Sequence, residues 1–182
     1  MKQFSVCTQA RGRRNKENGP MRRISTQSLS IIALGCSALL FSVTACSRAP
    51  EAPPKTVNVQ ADDKMRFDVT AFEVSPGQKV SITLKNIGTT PKFSMGHNLV
   101  VLDKQITEQN IQAKFLDPAA SEASHDYVPP GDKSVLAHTK LLGPNETETI
   151  TFTAPYVPGQ YLYVCSFPGH YTQGTKGFMT VK

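Results

Sequence analysis

Lys79-Val80-Ser81-Ile82-Thr83-Leu84-Lys85 alternates polar and apolar residues without a fault, between Pro76-Gly77 on one side and Asn86-Ile87-Gly88 on the other. A period of two bounded by turn residues predicts a half-buried β-strand. Less regular versions of the pattern recur at Val57-Asn58-Val59, Phe67 to Phe72, His97 to Leu102, Val135 to Leu141, Thr147 to Thr153, Gln160 to Cys165 and Gly177 to Val181. About eight short strands separated by turn signals predict an all-β protein, an antiparallel sandwich. Ile106, Ile111 and Phe115 recur instead at near-helical spacing, and Asp117-Pro118 is expected to close one short helix over Ile106 to Leu116. A loop then leads to Pro129-Pro130-Gly131-Asp132, and no internal repeat is present.

The first 46 residues follow other rules. From Met21 the chain reads Arg22-Arg23, a polar stretch, an apolar run from Ile31 to Phe41 and then Val43-Thr44-Ala45-Cys46-Ser47. A basic start, an apolar segment too short to span a bilayer and a small-residue cleavage site predict a secretory signal peptide over 21–46. Its end resembles a bacterial lipobox, which makes Cys46 the lipidated first residue of the mature protein. Ala33-Leu34-Gly35-Cys36 competes for that role but would cut the apolar run in half. Residues 1–20 carry five basic residues and no apolar core, and read as an upstream extension. Behind Cys46, residues 47–56 are proline-rich and predict an extended tether, leaving 57–182 as one domain. Ser47 behind the lipidated cysteine points, by analogy with enterobacterial sorting, to a periplasmic protein anchored at the outer membrane.

The formal charge of +6 would suggest nucleic acid or an anionic surface as partner, but seven of the basic residues and only one acid lie before Ser47. The remainder holds thirteen charges of each sign and no tryptophan. A neutral domain without a basic stripe excludes nucleic-acid binding.

Cysteine usage sharpens the picture. Of Cys7, Cys36, Cys46 and Cys165, only Cys165 belongs to the mature domain, so no disulfide can form within it. A lone thiol in an oxidising compartment calls for burial or ligation. Cys165 ends a strand in which Leu162 and Val164 face one way and Tyr161, Tyr163 and Cys165 the other. Pro168-Gly169 then turns the chain and brings His170 back toward it. Upstream stands Met95-Gly96-His97-Asn98. One thiolate and two imidazoles are the equatorial donors of a blue-copper centre, whose mixed softness serves both Cu(I) and Cu(II). Gly96 would let a carbonyl oxygen approach the metal, and Asn98 is placed to brace the loop by hydrogen bonds.

From about Val57 to Lys182 the domain resembles azurin, the bacterial blue-copper cupredoxin, through Asp63-Lys64-Met65-Arg66-Phe67, Met95-Gly96-His97-Asn98, Ala137 to Gly143 and Cys165-Ser166-Phe167-Pro168-Gly169-His170 running on to Lys176-Gly177. The resemblance implies a Greek-key cupredoxin sandwich in a lipid-anchored form, and one type 1 copper at His97, Cys165 and His170, with the Gly96 carbonyl as a weak contact. It also implies a docking patch for redox partners at Met65, Met95, Phe167, Pro168 and Gly169. Three departures stand out. The azurin disulfide is missing, Lys55 and Gln78 falling near its places, and the family's titrating internal histidine is replaced by Asn86. The axial methionine, due four residues past the second histidine, is Gly174. Aligning on Lys176-Gly177, or using the plastocyanin, rusticyanin and phytocyanin spacing, puts Thr175 there instead. Gln173, Met179 and water stay open as alternatives, with Met179 better read as core. A harder axial oxygen favours Cu(II), so the expected reduction potential lies below that of methionine-ligated azurins.

His125 and His138 have no partner at useful spacing and are expected to be solvated. With four histidines in all, the chain lacks the further clusters of a copper oxidase or nitrite reductase, and no protease signature surrounds Cys165. The expected function is not enzymatic: a monomeric one-electron shuttle between partners such as c-type cytochromes or periplasmic reductases, touching the membrane only through its anchor. The alternative is a copper-trafficking lipoprotein without a shuttle role.

Overall fold

A computed structural model describes residues 52–182; the leader, Cys46 and most of the tether lie outside the described residues. Eight strands form, in chain order β1 (Lys55–Ala61), β2 (Ala71–Val74), β3 (Lys79–Asn86), β4 (Val100–Leu102), β5 (Val135–His138), β6 (Thr147–Thr153), β7 (Gly159–Val164) and β8 (Lys176–Val181). They make two sheets, β1-β3-β6 and β2-β8-β7-β4-β5. The packed sandwich has the eight strands the alternation predicted, but it is mixed rather than antiparallel: β1 runs parallel to β3 and β2 parallel to β8.

The fault-free segment behaves as its pattern dictates. Val80, Ile82 and Leu84 of β3 are fully buried, while Ser81 and Thr83 meet Thr151 and Thr149 of β6 through hydroxyl pairs at 2.9 and 2.8 Å on the outer face. Along β7 and one residue past it, Tyr161, Tyr163 and Cys165 enter the main core and Leu162 and Val164 a second cluster, as the alternation required. That second cluster closes beneath Ile106, Ile111, Phe115 and Val128, so the helical segment is a lid that buries the outer face of the central strands.

Elsewhere the boundaries move. Of the predicted strand Phe67 to Phe72, only Ala71 and Phe72 enter a ladder. Asp62 to Met65 turns sharply, Met65 taking a left-handed φ of 56°, and Phe67 makes a single bridge to Ala61 before β2 begins at Ala71. His97 likewise pairs outside β4, in a two-way backbone bridge with Leu142, and the ladder past His138 is interrupted because the Thr139 hydroxyl accepts the Leu99 N–H. The predicted helix stop at Asp117-Pro118 does not occur. A π-wound turn over Gln112–Leu116 runs directly into α2 (Asp117–Ala120), since proline in a first turn forfeits no needed donor. Further short turns are α1 (Lys92–Met95), a 3₁₀ turn at Ala123–His125 and α3 (His170–Gln173).

Candidate metal centre

β7 carries the chain from one pole of the sandwich to the other and delivers Cys165 just beyond its last ladder pair, Val164 with Lys176. There the Cys165 N–H donates to the Thr175 carbonyl at 3.0 Å, and the Thr175 N–H donates to the His170 carbonyl at 3.1 Å. Gly169, at φ 86°, makes the reversal that a side chain would resist, and α3 starts at His170. The backbone bridge with Leu142 places His97 opposite.

Among the described residues, His97, Cys165 and His170 form the single cluster able to hold a metal, their donor atoms all within 4.8 Å of one another. All three are buried, and Cys165 Sγ lies 3.4 Å from His170 Nδ1. His97 is fully enclosed, and neither of its ring nitrogens has a hydrogen-bond partner. Two unsatisfied nitrogens in a dry site are costly unless a ligand is there to meet one of them. The donor set therefore fits a copper ion.

Burial also sets the protonation. It pushes the Cys165 thiol up to about 12, against the opposing effect of the Asn98 and Phe167 backbone amides. It brings His170 down to about 4, with nearby His97 adding to the shift. His97 is lowered by the same desolvation, opposed by Asp62 and Asp63. Before metal enters, the pocket at neutral pH holds two uncharged imidazoles and one thiol.

The ligand loops are tied to each other by Asn98. Its amide nitrogen donates to the Ser166 hydroxyl at 2.8 Å and to the Asp126 carbonyl at 2.7 Å, and its oxygen accepts the Ser166 N–H at 2.8 Å. The two bonds to Ser166 join the segment after His97 to the segment after Cys165. Gly96 is buried with an ordinary extended backbone, and a Cβ there would stand 2.6 Å from the Lys92 carbonyl and 2.7 Å from Leu141. Its need for glycine comes from that crowding.

Thr175 is fully buried and its hydroxyl donates to the Met65 carbonyl. Gln173 ends α3 on the exposed surface, and Met179 packs in the main core opposite Tyr161. Asn86 is a buried fixed pin: its amide nitrogen donates to the Leu142 carbonyl and its amide oxygen accepts the Gly88 N–H. His125 is exposed beside Glu122 at 2.9 Å, and His138 is exposed on β5. Both line a surface cavity of about 510 Å³ away from the cluster.

Around His170, Pro168 and Gly169 are exposed, while Met65, Met95 and Phe167 are half-buried. Phe167 packs on the His170 ring, centroids 4.6 Å apart, and Tyr127 meets Phe167 edge-on at 5.0 Å. His170 itself is 2% exposed, so these neighbours leave only a sliver of its edge open. The Asp63 carboxylate holds the Met65 turn by accepting the Thr89 and Thr90 N–H groups, and these bonds lower its pKa. Sequence reasoning missed Phe93, 84% exposed on α1 two residues before Met95. No periodic pattern in the sequence marks it, since α1 buries none of its side chains.

Residues 55–182 match the family model of copper binding proteins of the plastocyanin/azurin family. Azurin of Pseudomonas fluorescens biotype C is 36% identical over 129 residues, 69% of this chain and 97% of that protein. The outer membrane protein H.8 of Neisseria meningitidis serogroup B is 41% identical over 114 residues, 62% of this chain and 60% of the relative. Among solved structures, reduced auracyanin from Roseiflexus castenholzii aligns with a TM-score of 0.63 at 35% identity, covering 72% of this chain and 99% of that one.

Proposed function

Because the chain belongs to the plastocyanin/azurin family of copper-binding proteins, we propose that it is a lipid-anchored periplasmic electron carrier, shuttling single electrons between redox proteins. The observation that carries this reading is the closed pocket of His97, Cys165 and His170, with both His97 nitrogens unpartnered. Bound copper supplies a one-electron Cu(II)/Cu(I) couple. His97 and His170 present uncharged imidazoles, Cys165 gives up its proton on ligation, and the enclosing core excludes water and competing ligands. Asn98 and the Thr175 backbone hold the three donors in one arrangement, which limits the rearrangement that each electron transfer requires. Phe167, Pro168, Gly169, Met65 and Met95 form the rim against which a partner would dock, and a sparsely charged rim predicts weak encounters with little dependence on salt.

The test is electron exchange with a reduced c-type cytochrome, followed by stopped-flow absorbance. Rapid bleaching of the oxidised copper protein supports the shuttle. Slow exchange accompanied by ready copper loss to an acceptor supports trafficking instead. The anchor is read from the sequence at Cys46, and similarity to the outer membrane protein H.8 supports an outer-membrane location.

Copper uptake should also release protons in a defined number. With His170 at about 4 and Cys165 at about 12, only the thiol is protonated in the pocket at pH 7. Cu(II) binding there is expected to release one proton per metal, read with an indicator dye in weak buffer. The sign follows from competition: around pH 7 apparent affinity rises with pH by tenfold per unit because the Cys165 thiol must lose its proton, and it falls more steeply in acid once the imidazoles protonate, His170 near about 4. Release of two or more protons at pH 7 would contradict the uncharged imidazoles.

Thr175 is the proposed further weak donor: its backbone is bonded to Cys165 and His170, and its buried hydroxyl oxygen, whose proton goes to the Met65 carbonyl, would offer bound copper a hard donor. A potential below that of methionine-ligated azurins is expected by cyclic voltammetry, and Thr175→Met should raise it. No rise in the variant would remove Thr175 as a donor.

A further inference from the structure

Four large hydrophobic side chains stand exposed among the described residues, and they divide between the two poles of the sandwich. Ile87 (45%) and Phe93 (84%) lie at the copper pole, past the end of β3 and on the helix before His97. Tyr156 (74%) and Val157 (50%) lie at the other, in the turn Pro155-Tyr156-Val157-Pro158 between β6 and β7. The copper pole has a use for apolar surface. The metal and its docking rim give no use to the opposite one.

The tether enters at that opposite pole. Lys55 pairs with Val80 at the beginning of β3, Lys79 pairs with Thr153 at the end of β6, and Gln78 Nε2 donates to the Pro53 carbonyl at 2.6 Å. The Tyr156 ring lies against Gly77 in the same turn region, and Tyr161 Oη donates to the Val157 carbonyl at 2.7 Å, fixing the exposed turn to the base of β7. Five residues separate Cys46 from Ala52, the first described residue, and the six Cα–Cα steps between them, fully extended, reach only about 20 Å. A lipid on Cys46 therefore keeps this pole within a short distance of the headgroups.

We infer that the turn at Tyr156 and Val157 is a membrane-resting face, seated in the headgroup region of the bilayer that holds the anchor. The inference rests on the lipid at Cys46. An amphipathic tyrosine beside an aliphatic residue suits the interface. Lys55, Lys79, Lys104 and Lys182 ring the same pole; Glu73 pairs with Lys182 at 2.7 Å, and Asp103 lies close by with Asp132, to which Ser134 links it. That balance is only mildly favourable to anionic lipid, so the face orients the domain more than it adds affinity. Its consequence is geometric. β7 runs about 20 Å from Gly159 to Cys165, so seating one pole on lipid turns the His170 rim toward the aqueous compartment.

The absence of tryptophan makes a direct test possible. Full-length lipidated protein carrying Tyr156→Trp, and separately Phe93→Trp, is copper-loaded, reduced and reconstituted into phosphatidylethanolamine/phosphatidylglycerol vesicles with or without a lipid brominated near its headgroup. Flotation reports the anchor and quenching reports the face. Brominated lipid is expected to quench Tyr156→Trp at least about twofold and to leave Phe93→Trp unchanged. Adding Val157→Asp to Tyr156→Trp should abolish the quenching while the protein still floats. Floating protein with neither reporter quenched, or with quenching insensitive to Val157→Asp, overturns the membrane-resting face and leaves the anchor standing. Failure of the wild-type protein to float overturns the anchor and the face together.

Discussion

Cys165→Ser should give a folded, colourless protein that no longer exchanges electrons, the largest functional loss available from one atom. Cys165 Sγ is the only soft donor in the cluster, and the intense visible absorption expected of the copper-loaded protein is a property of a thiolate bound to Cu(II). A serine hydroxyl is far harder to ionise at neutral pH, so two imidazoles would remain as the effective donors and copper affinity should fall steeply. The fold should survive. The Cys165 backbone bond to Thr175 is untouched, the side-chain volume falls slightly, and burying a hydroxyl in place of a thiol costs about 1–3 kcal/mol, a part of the roughly 5–15 kcal/mol that holds an ordinary domain. Visible titration with Cu(II), beside far-ultraviolet circular dichroism, separates the two effects. An intense band retained in Cys165→Ser, or none in the wild type, contradicts the proposed centre.

The same residue shows why the site could be read from the chain. Cys165 is the single cysteine beyond Cys46, its strand alternates cleanly, and Pro168-Gly169 announces the reversal to His170. Each of these signals is local. What escaped is non-local or depends on a missing side-chain reward. β2 pairs with β8 at the far end of the chain, in parallel, and nothing within Phe67 to Phe72 encodes that partner. Once Met65 turns left-handed, the apolar residues after it pack singly, with Phe67 and Val69 in the core and no ladder between them. Pro118 reads as a stop because proline breaks helix interiors, yet here it opens a new turn, where its missing N–H costs nothing. Phe93 obeys no burial pattern at all, which is the reason it draws attention as a contact residue and the reason periodicity passed over it.

Asn98→Ala should be the most damaging change that leaves every metal ligand in place. Asn98 is fully buried and makes three hydrogen bonds between segments remote in sequence, two to Ser166 and one to the Asp126 carbonyl. Asp126 and Tyr127 both take left-handed φ values, 57° and 61°, a conformation that side chains resist at about 1–3 kcal/mol where the surroundings do not enforce it. The enforcement is visible: Asn98 holds the Asp126 carbonyl, and the Ser166 hydroxyl donates to the Tyr127 carbonyl at 2.6 Å. Tyr127 in turn supports Phe167, which packs on His170. Alanine leaves the Ser166 N–H and the Asp126 carbonyl without their partner and frees the strained turn, at an expected loss of about 2–4 kcal/mol in urea denaturation of the copper-free protein. A purely structural loss would stop there. Because the bonds join the Cys165 segment to the His97 segment, the copper-loaded variant should also lose metal to a chelator faster and show a shifted visible band. Ser166→Ala breaks the same network from the other side, so the double variant should be less destabilised than the sum of the singles by more than about 0.5 kcal/mol. Additive effects, with an unchanged spectrum and an unchanged rate of copper loss, would show that the two ligand loops are positioned independently of Asn98.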